Sequence, residues 1–349
     1  MTDPLHVLVV DDSAVMRLVM TTLLGEEPGM QVTVAADPMI ALQKMKIRRP
    51  DVVVLDLEMP RMDGLTFLRT LMRDDPMPVV VCSGSAGRGS ENALSALQAG
   101  ALEIVAKPKV GLREFLVESK ELLLGAIRGA AEAKLCVAPL LEGRLQPAGT
   151  VARRSRNWPA EAGPPQKLIA IAASTGGTEA LRVFVEGLPR RCPPTLIVQH
   201  MPAGFTTAFA AHLDRLAEPE VREARDGDEV REGRVLIAPG DRHMELAADG
   251  KVRITAGPLV SRHRPSADVL FRSVAGIGGA MAVGIIMTGM GDDGAEGLLA
   301  MRRAGATTFA QDEASCVVFG MPREAVRRGA VVETLALSDL AGRALEACV

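Results

Sequence analysis

A chain of 349 residues has room for about two domains of ~150 residues each. With 48% hydrophobic residues, 24% charged residues and a formal net charge of −3, it can bury two cores and offers no global basic field for nucleic acid. Tyrosine is absent and aromatics are 3%, which argues against stacking on bases, and no apolar run reaches the ~18–20 residues of a membrane helix.

Strands are predicted at 6–10, 32–35, 52–56, 79–83 and 102–106. Helices near 13–25, 38–47, 64–73, 90–99 and 111–127 separate them. Ser13 is placed to cap the first helix, and Pro38 suits an early helical position. Such βα units with right-handed crossovers predict a flavodoxin-like (βα)5 domain over residues 1–128. Strand ends converge on one edge of a parallel sheet, so Asp11, Asp12, Asp56 and Lys107 meet there. Three carboxylates with no nearby thiol make an oxygen-only site suited to Mg²⁺. A carboxylate beside Mg²⁺ and a lysine is poised to accept a phosphoryl group, because cations neutralise the developing charge. The first half reads as a switch.

Residues 129–166 are rich in Ala, Pro, Gly and Arg, with Pro139, Pro147, Pro159, Pro164 and Pro165, and read as a linker. Arg153, Arg154 and Arg156 beside Trp158 offer a contact patch or simply a solvated stretch. Five cysteines, an odd number with no metal-type spacing, point to free thiols in a reducing cytosol, in keeping with the lack of a signal peptide.

A second domain, doubly wound and mostly parallel, is predicted over 167–349. Its strands fall at 168–173, 195–199, 234–238, 251–255, 282–287, 306–310 and 330–333, and its helices near 177–187, 204–216, 265–277, 294–304 and 321–328. The first strand runs into Ser174-Thr175-Gly176-Gly177. Alone, this turn serves equally as a helix cap or phosphate loop, and it lacks the flanking glycines of a G-x-S-x-G elbow. The second strand ends at His200, a candidate general base or a hydrogen-bonded structural histidine. A later strand runs into Thr288-Gly289-Met290-Gly291-Asp292-Asp293-Gly294, where an acid can orient a histidine or cap the next helix. Of the other histidines, His6 opens a strand on the remote edge, His212 lies on a polar helix face, and His243 and His263 fall in loops that could line a site. Ser, His and Asp at three strand ends of one α/β domain make a much stronger signal together.

The chain closely resembles the chemotaxis response-regulator protein-glutamate methylesterases over nearly all its length except the linker. The first half is similar to receiver domains through Asp11, Asp12, Asp56, Ser83 and Lys107. The second is similar to methylesterase domains through A-S-T-G-G (173–177), Q-H-M-P-A-G-F (199–205), A-P-G-D-R-H-M-E-L (238–246), R-H-R-P-S (262–266), M-T-G-M-G-D-D-G (287–294) and A-S-C-V-V-F-G-M-P-R-E-A (314–325). The resemblance implies Ser174 as nucleophile, His200 as base and Asp293 as orienting acid, with Met290 and Thr175 supporting the oxyanion. It implies phosphorylation at Asp56 by a chemotaxis histidine kinase with Mg²⁺, Ser83 and Lys107 as receiver switch residues, and no cofactor for ester hydrolysis. The implied substrates are methyl-accepting chemoreceptor cytoplasmic helices, for a cytoplasmic monomer that also deamidates glutamines. Three positions depart from the common pattern: Ile104 for an aromatic, Ala172 for a glycine, and Asp292 for an asparagine.

Overall fold

The computed structural model describes residues 3–59, 63–84, 88–107, 113–133 and 167–349. They cluster into two compact units, one on each side of residues 134–166. Among the described residues, no helix is long and apolar enough to cross a membrane.

In the first unit, strands β1 (Leu5–Val10), β2 (Met30–Ala35), β3 (Val52–Asp56), β4 (Val79–Ser83) and β5 (Glu103–Ala106) alternate with helices. These are α1 (Ala14–Gly25), α2 (Pro38–Ile47), α3 (Gly64–Asp74), α4 (Arg88–Gln98) and α5 (Arg113–Ala133). The sheet is parallel in the order β2-β1-β3-β4-β5. Val52 to Leu55 and Val79 to Val81 are buried on both faces, as a sheet covered by helices requires. Local chemistry fixes the helix starts: Ser13 Oγ accepts from Met16 N at 3.3 Å, Asp37 from Ile40 N at 2.9 Å and Asp63 from Thr66 N at 2.8 Å. Strand order reverses between β1 and β3; Asp11 directly follows β1 and Asp56 ends β3. Helix α5 continues to Ala133, so residues 129–133 are helical where a linker was expected. The rest of that predicted linker, with its arginines and Trp158, lies outside the described residues.

The second unit has seven parallel strands in the order β14-β13-β12-β6-β7-β9-β8. They are β6 (Leu168–Ala173), β7 (Thr195–Gln199), β8 (Glu220–Glu223), β9 (Arg234–Ile237), β12 (Ala282–Ile286), β13 (Thr307–Gln311) and β14 (Glu333–Leu335). A separate antiparallel pair joins β10 (His243–Leu246) to β11 (Val252–Thr255). Helices α6 (Gly177–Glu186), α7 (Phe205–Leu216), α8 (Ala267–Gly278), α9 (Ala295–Arg303), α10 (Met321–Arg327) and α11 (Leu337–Ala347) complete it. One layer of core packs Leu270, Phe271 and Val274 of α8 with Leu298 and Met301 of α9 against Ala170, Leu196, Leu236 and Ile286 of the sheet. Each fully buried Leu, Ile or Phe contributes roughly 1.5–3 kcal/mol. The chain leaves β6 toward β7 on one side and returns to β12 on the other. The strand order therefore reverses between β6 and β12, where ligands of open α/β sheets bind.

Two strands and one α-helix were not anticipated, β8, β10 and α11, nor was the short 3-10 turn at Gly279–Met281. The last strand runs Glu333–Leu335 rather than 330–333, because Ala330 N closes the preceding turn on Ala325 O while Glu333 pairs with Phe309.

Candidate active site

Strands β6 and β7 lie side by side with Ala173 opposite Gln199, so Ser174 and His200 leave the sheet as neighbours. His200 N donates to Ala173 O at 3.1 Å, and Ser174 N donates to Thr288 O at 3.0 Å just beyond β12. Gln199 Nε2 ties the two turns together, donating to Ser174 O at 3.0 Å and His200 O at 3.2 Å. Gly176 adopts φ 76°, and a Cβ there would fall 2.5 Å from Val317 Cβ. Only glycine lets the 314–325 segment close over this turn. Ser174 is buried, and its Oγ makes no hydrogen bond among the described residues.

The glycine-rich turn after β12 is held by the same segment. Gly289 N donates to Val318 O at 3.0 Å, and Met321 N donates to Gly289 O at 2.8 Å. Thr288 Oγ1 donates to Thr175 O at 3.0 Å. A Cβ on Gly289 would fall 2.8 Å from Ser174 Cβ, so the turn that carries Met290 lies directly against the serine.

Asp293 is completely buried. Its Oδ2 accepts from His200 Nε2 at 2.8 Å and Ala267 N at 2.7 Å, and its Oδ1 from Ser266 Oγ at 2.7 Å and Asp268 N at 3.2 Å. The N-terminus of α8 thus cradles this carboxylate. Burial alone would raise its pKa, but the His200 hydrogen bond and charge, with His263 and Ser266, hold it down at about 2. Asp293 is therefore an anion at neutral pH and can only accept. That places the hydrogen of neutral His200 on Nε2 and leaves the lone pair on Nδ1. Nδ1 is buried and unpartnered. The ring thus presents Nδ1 as its basic atom, the reverse of the serine-protease arrangement in which Nε2 faces serine.

His263 stacks on His200 with ring centroids 3.8 Å apart and planes 10° from parallel. Its Nδ1 lies 2.6 Å from Ser261 O. Burial and the His200 charge push its pKa down to about 3, so it stays neutral. His200, His263 and Asp293 offer ligand atoms within 4.8 Å of one another. Near-parallel rings aim their in-plane lone pairs side by side rather than at one point, so the trio suits proton transfer better than a metal. His243 is structural: its Nε2 lies 2.8 Å from Pro258 O and its Nδ1 accepts from Ser266 N at 3.2 Å. Asp292, the acid next to Asp293, is paired with Arg328, whose Nη2 lies 3.0 Å from its Oδ2. Sequence reasoning missed the Ser266 cradle and the His263 stack. The R-H-R-P-S run held both residues, but neither contact is visible in spacing.

In the other unit, Lys107 Nζ sits 2.7 Å from Asp56 Oδ2 and 3.2 Å from Asp11 Oδ2. Ser13 N donates to Asp11 Oδ1 at 2.8 Å, and Glu58 N to Asp56 Oδ1 at 3.0 Å. Burial raises the Asp11 pKa, with the Asp56 charge acting in the same direction. Burial would lower that of Lys107, but Asp56 and Asp11 more than compensate and keep it a cation. Carboxylate oxygens of Asp11, Asp12 and Asp56 lie within 4.8 Å of one another, a hard donor set that fits Mg²⁺. Ser83 is fully buried at the end of β4, and Ile104 is buried in β5 opposite Val81.

Residues 169–344 match the family model for the CheB methylesterase, and residues 7–116 that for the response regulator receiver domain. A protein-glutamate methylesterase/protein-glutamine glutaminase of Geobacter metallireducens is 50% identical over 351 residues, covering 99% of both chains. One of Anaeromyxobacter dehalogenans is 51% identical over 344 residues, covering 97% of this chain and 98% of its own. The crystal structure of the Thermotoga maritima CheB methylesterase catalytic domain is 38% identical, with a TM-score of 0.50, and covers 52% of this chain and 97% of that one. Identity at this level from end to end, through both a receiver and a hydrolase unit, makes this chain a member of the protein-glutamate methylesterase/protein-glutamine glutaminase family.

Proposed function

We propose that this protein hydrolyses glutamate methyl esters on the cytoplasmic helices of methyl-accepting chemoreceptors, and deamidates receptor glutamines, as a phosphorylation-activated serine hydrolase of chemotactic adaptation. The observation that carries the reading is the buried His200–Asp293 pair, whose free Nδ1 belongs to the residue beside Ser174.

Ser174 Oγ attacks the ester carbonyl carbon while His200 Nδ1 takes its proton. Asp293 stabilises the imidazolium through Nε2–H and remains ionised. The Met290 turn, supported by Thr175, offers donors to the oxyanion. His200 then returns the proton to the departing methoxide, or to the amide nitrogen of glutamine, releasing methanol or ammonia. Water, deprotonated by Nδ1, attacks the acyl-serine, and as the acyl–Oγ bond breaks His200 returns that proton to Ser174 Oγ, leaving the glutamate carboxylate and the resting enzyme.

The receiver, residues 1–128, accepts a phosphoryl group on Asp56 from a chemotaxis histidine kinase, and residues 129–166 link it to the hydrolase, 167–349. Asp11, Asp12 and Asp56 would hold Mg²⁺, which when bound neutralises charge on the transferring group. Lys107 contributes the second cation, and Ser83 stands ready to bond the phosphoryl oxygens. The protein is read as a cytoplasmic monomer. Mass spectrometry of methylated receptor peptides tests the substrate: methyl ester and glutamine peaks should convert to free glutamate, and unchanged peptides would refute it.

A further inference from the structure

We infer that His263 is a positioning residue for the proton transfers, holding the plane of the His200 ring by stacking flat against it. A single edge contact to Asp293 leaves an imidazole free to swing about that hydrogen bond, and a swing would change where the buried Nδ1 points. The face contact at 3.8 Å and 10° removes that freedom.

The loop that carries His263 is built for rigidity. Val260 and His263 exchange backbone hydrogen bonds at 3.1 and 2.9 Å. Ser261 and Arg262 both hold left-handed backbone, φ 49° and 67°, a strained state that persists only where its surroundings enforce it. Ser261 Oγ donates to Asp268 Oδ2 at 3.2 Å, and Asp268 Oδ1 accepts from Gly297 N at 2.7 Å. The first turn of α8 therefore anchors both groups that fix His200: Asp293 at its edge and His263 at its face.

The charged and titratable groups facing His263 are His200, Asp293 and Arg262, with Asp268 beyond Ser261. Burial and the His200 charge keep His263 neutral. It is thus no second base, and it offers an aromatic face to the imidazolium that forms during turnover.

The inference rests on His200 as the base, and its test separates the two. Methanol release from a methylated receptor is measured for the phosphorylated full-length protein and for His263→Ala, His263→Gln and His263→Phe, each checked for folding by circular dichroism. Glutamine keeps a donor for Ser261 O without a ring, whereas phenylalanine keeps a ring without the donor. Ala and Gln should lower kcat by roughly 10–100-fold with KM within about twofold, and Phe should restore most of the loss. Gln at the wild-type rate, or Phe as slow as Ala, would overturn the positioning role. If His200→Ala also retained activity, the reading beneath it would fall. An inactive His200→Ala beside unimpaired His263 variants would sink the positioning role alone.

Discussion

The tautomer of His200 is set by Asp293, an acceptor by virtue of its low pKa. Asp293→Asn keeps the shape but introduces an amide that can donate to Nε2, which would move the hydrogen to Nδ1. We expect kcat to fall by roughly 10³–10⁴-fold with the fold intact. A rate within tenfold of wild type in steady-state methanol release would refute that role. The stacked histidine has a signature in stability. Its folded pKa of about 3 lies below the ordinary 6.5, so the unfolded chain takes up this proton first as pH falls. Its contribution is complete above pH 6.5 and is lost progressively toward pH 3. His212, held low by burial, acts in the same direction, and Asp268, held high by burial, opposes it. His263→Phe should therefore flatten the decline of Tm between about pH 7 and pH 5. Equal slopes by circular dichroism would contradict the assignment. The positions of Ser174 and His200 at strand ends were legible because each directly follows an apolar strand of a parallel sheet, and that of Asp293 because it lies in the glycine-rich turn after β12. Ser266 and the His263 stack were not, because they depend on how a loop of irregular backbone folds back.

Among the elements, α8 and α9 approach most intimately at Gly297. A Cβ there would meet Phe271 Cβ at 2.7 Å and Asp268 Cα at 3.0 Å. Gly297→Ala should destabilise the hydrolase unit by about 1–3 kcal/mol, because the shift falls on the helix start that cradles Asp293. Urea denaturation checks this, and a neutral result would show that α8 moves freely. The long buried strands were readable as runs of Val, Ile, Leu and Ala. Strand β8 was not, because Glu220-Val221-Arg222-Glu223 buries only Val221 and its charges suit an exposed edge. Strand β10 is short and pairs outside the main sheet. Helix α11 did carry a signal, since Leu340, Ala341, Ala344 and Leu345 form its buried stripe at helical spacing.

At the scale of the whole molecule, two α/β units each place their chemistry where the strand order reverses. Asp56→Asn should abolish phosphoryl incorporation from a small-molecule phosphodonor. Labelling equal to wild type would remove Asp56 as the acceptor. The most direct test of the account is the initial rate of methanol release from methylated receptor membranes. The full-length protein is assayed with Mg²⁺, with and without the phosphodonor, beside Ser174→Ala. The rate should rise on phosphorylation, and a folded Ser174→Ala protein should lose at least ~10³-fold in either state. Release near the wild-type rate from folded Ser174→Ala would contradict serine catalysis, and a rate indifferent to the phosphodonor would contradict the switch.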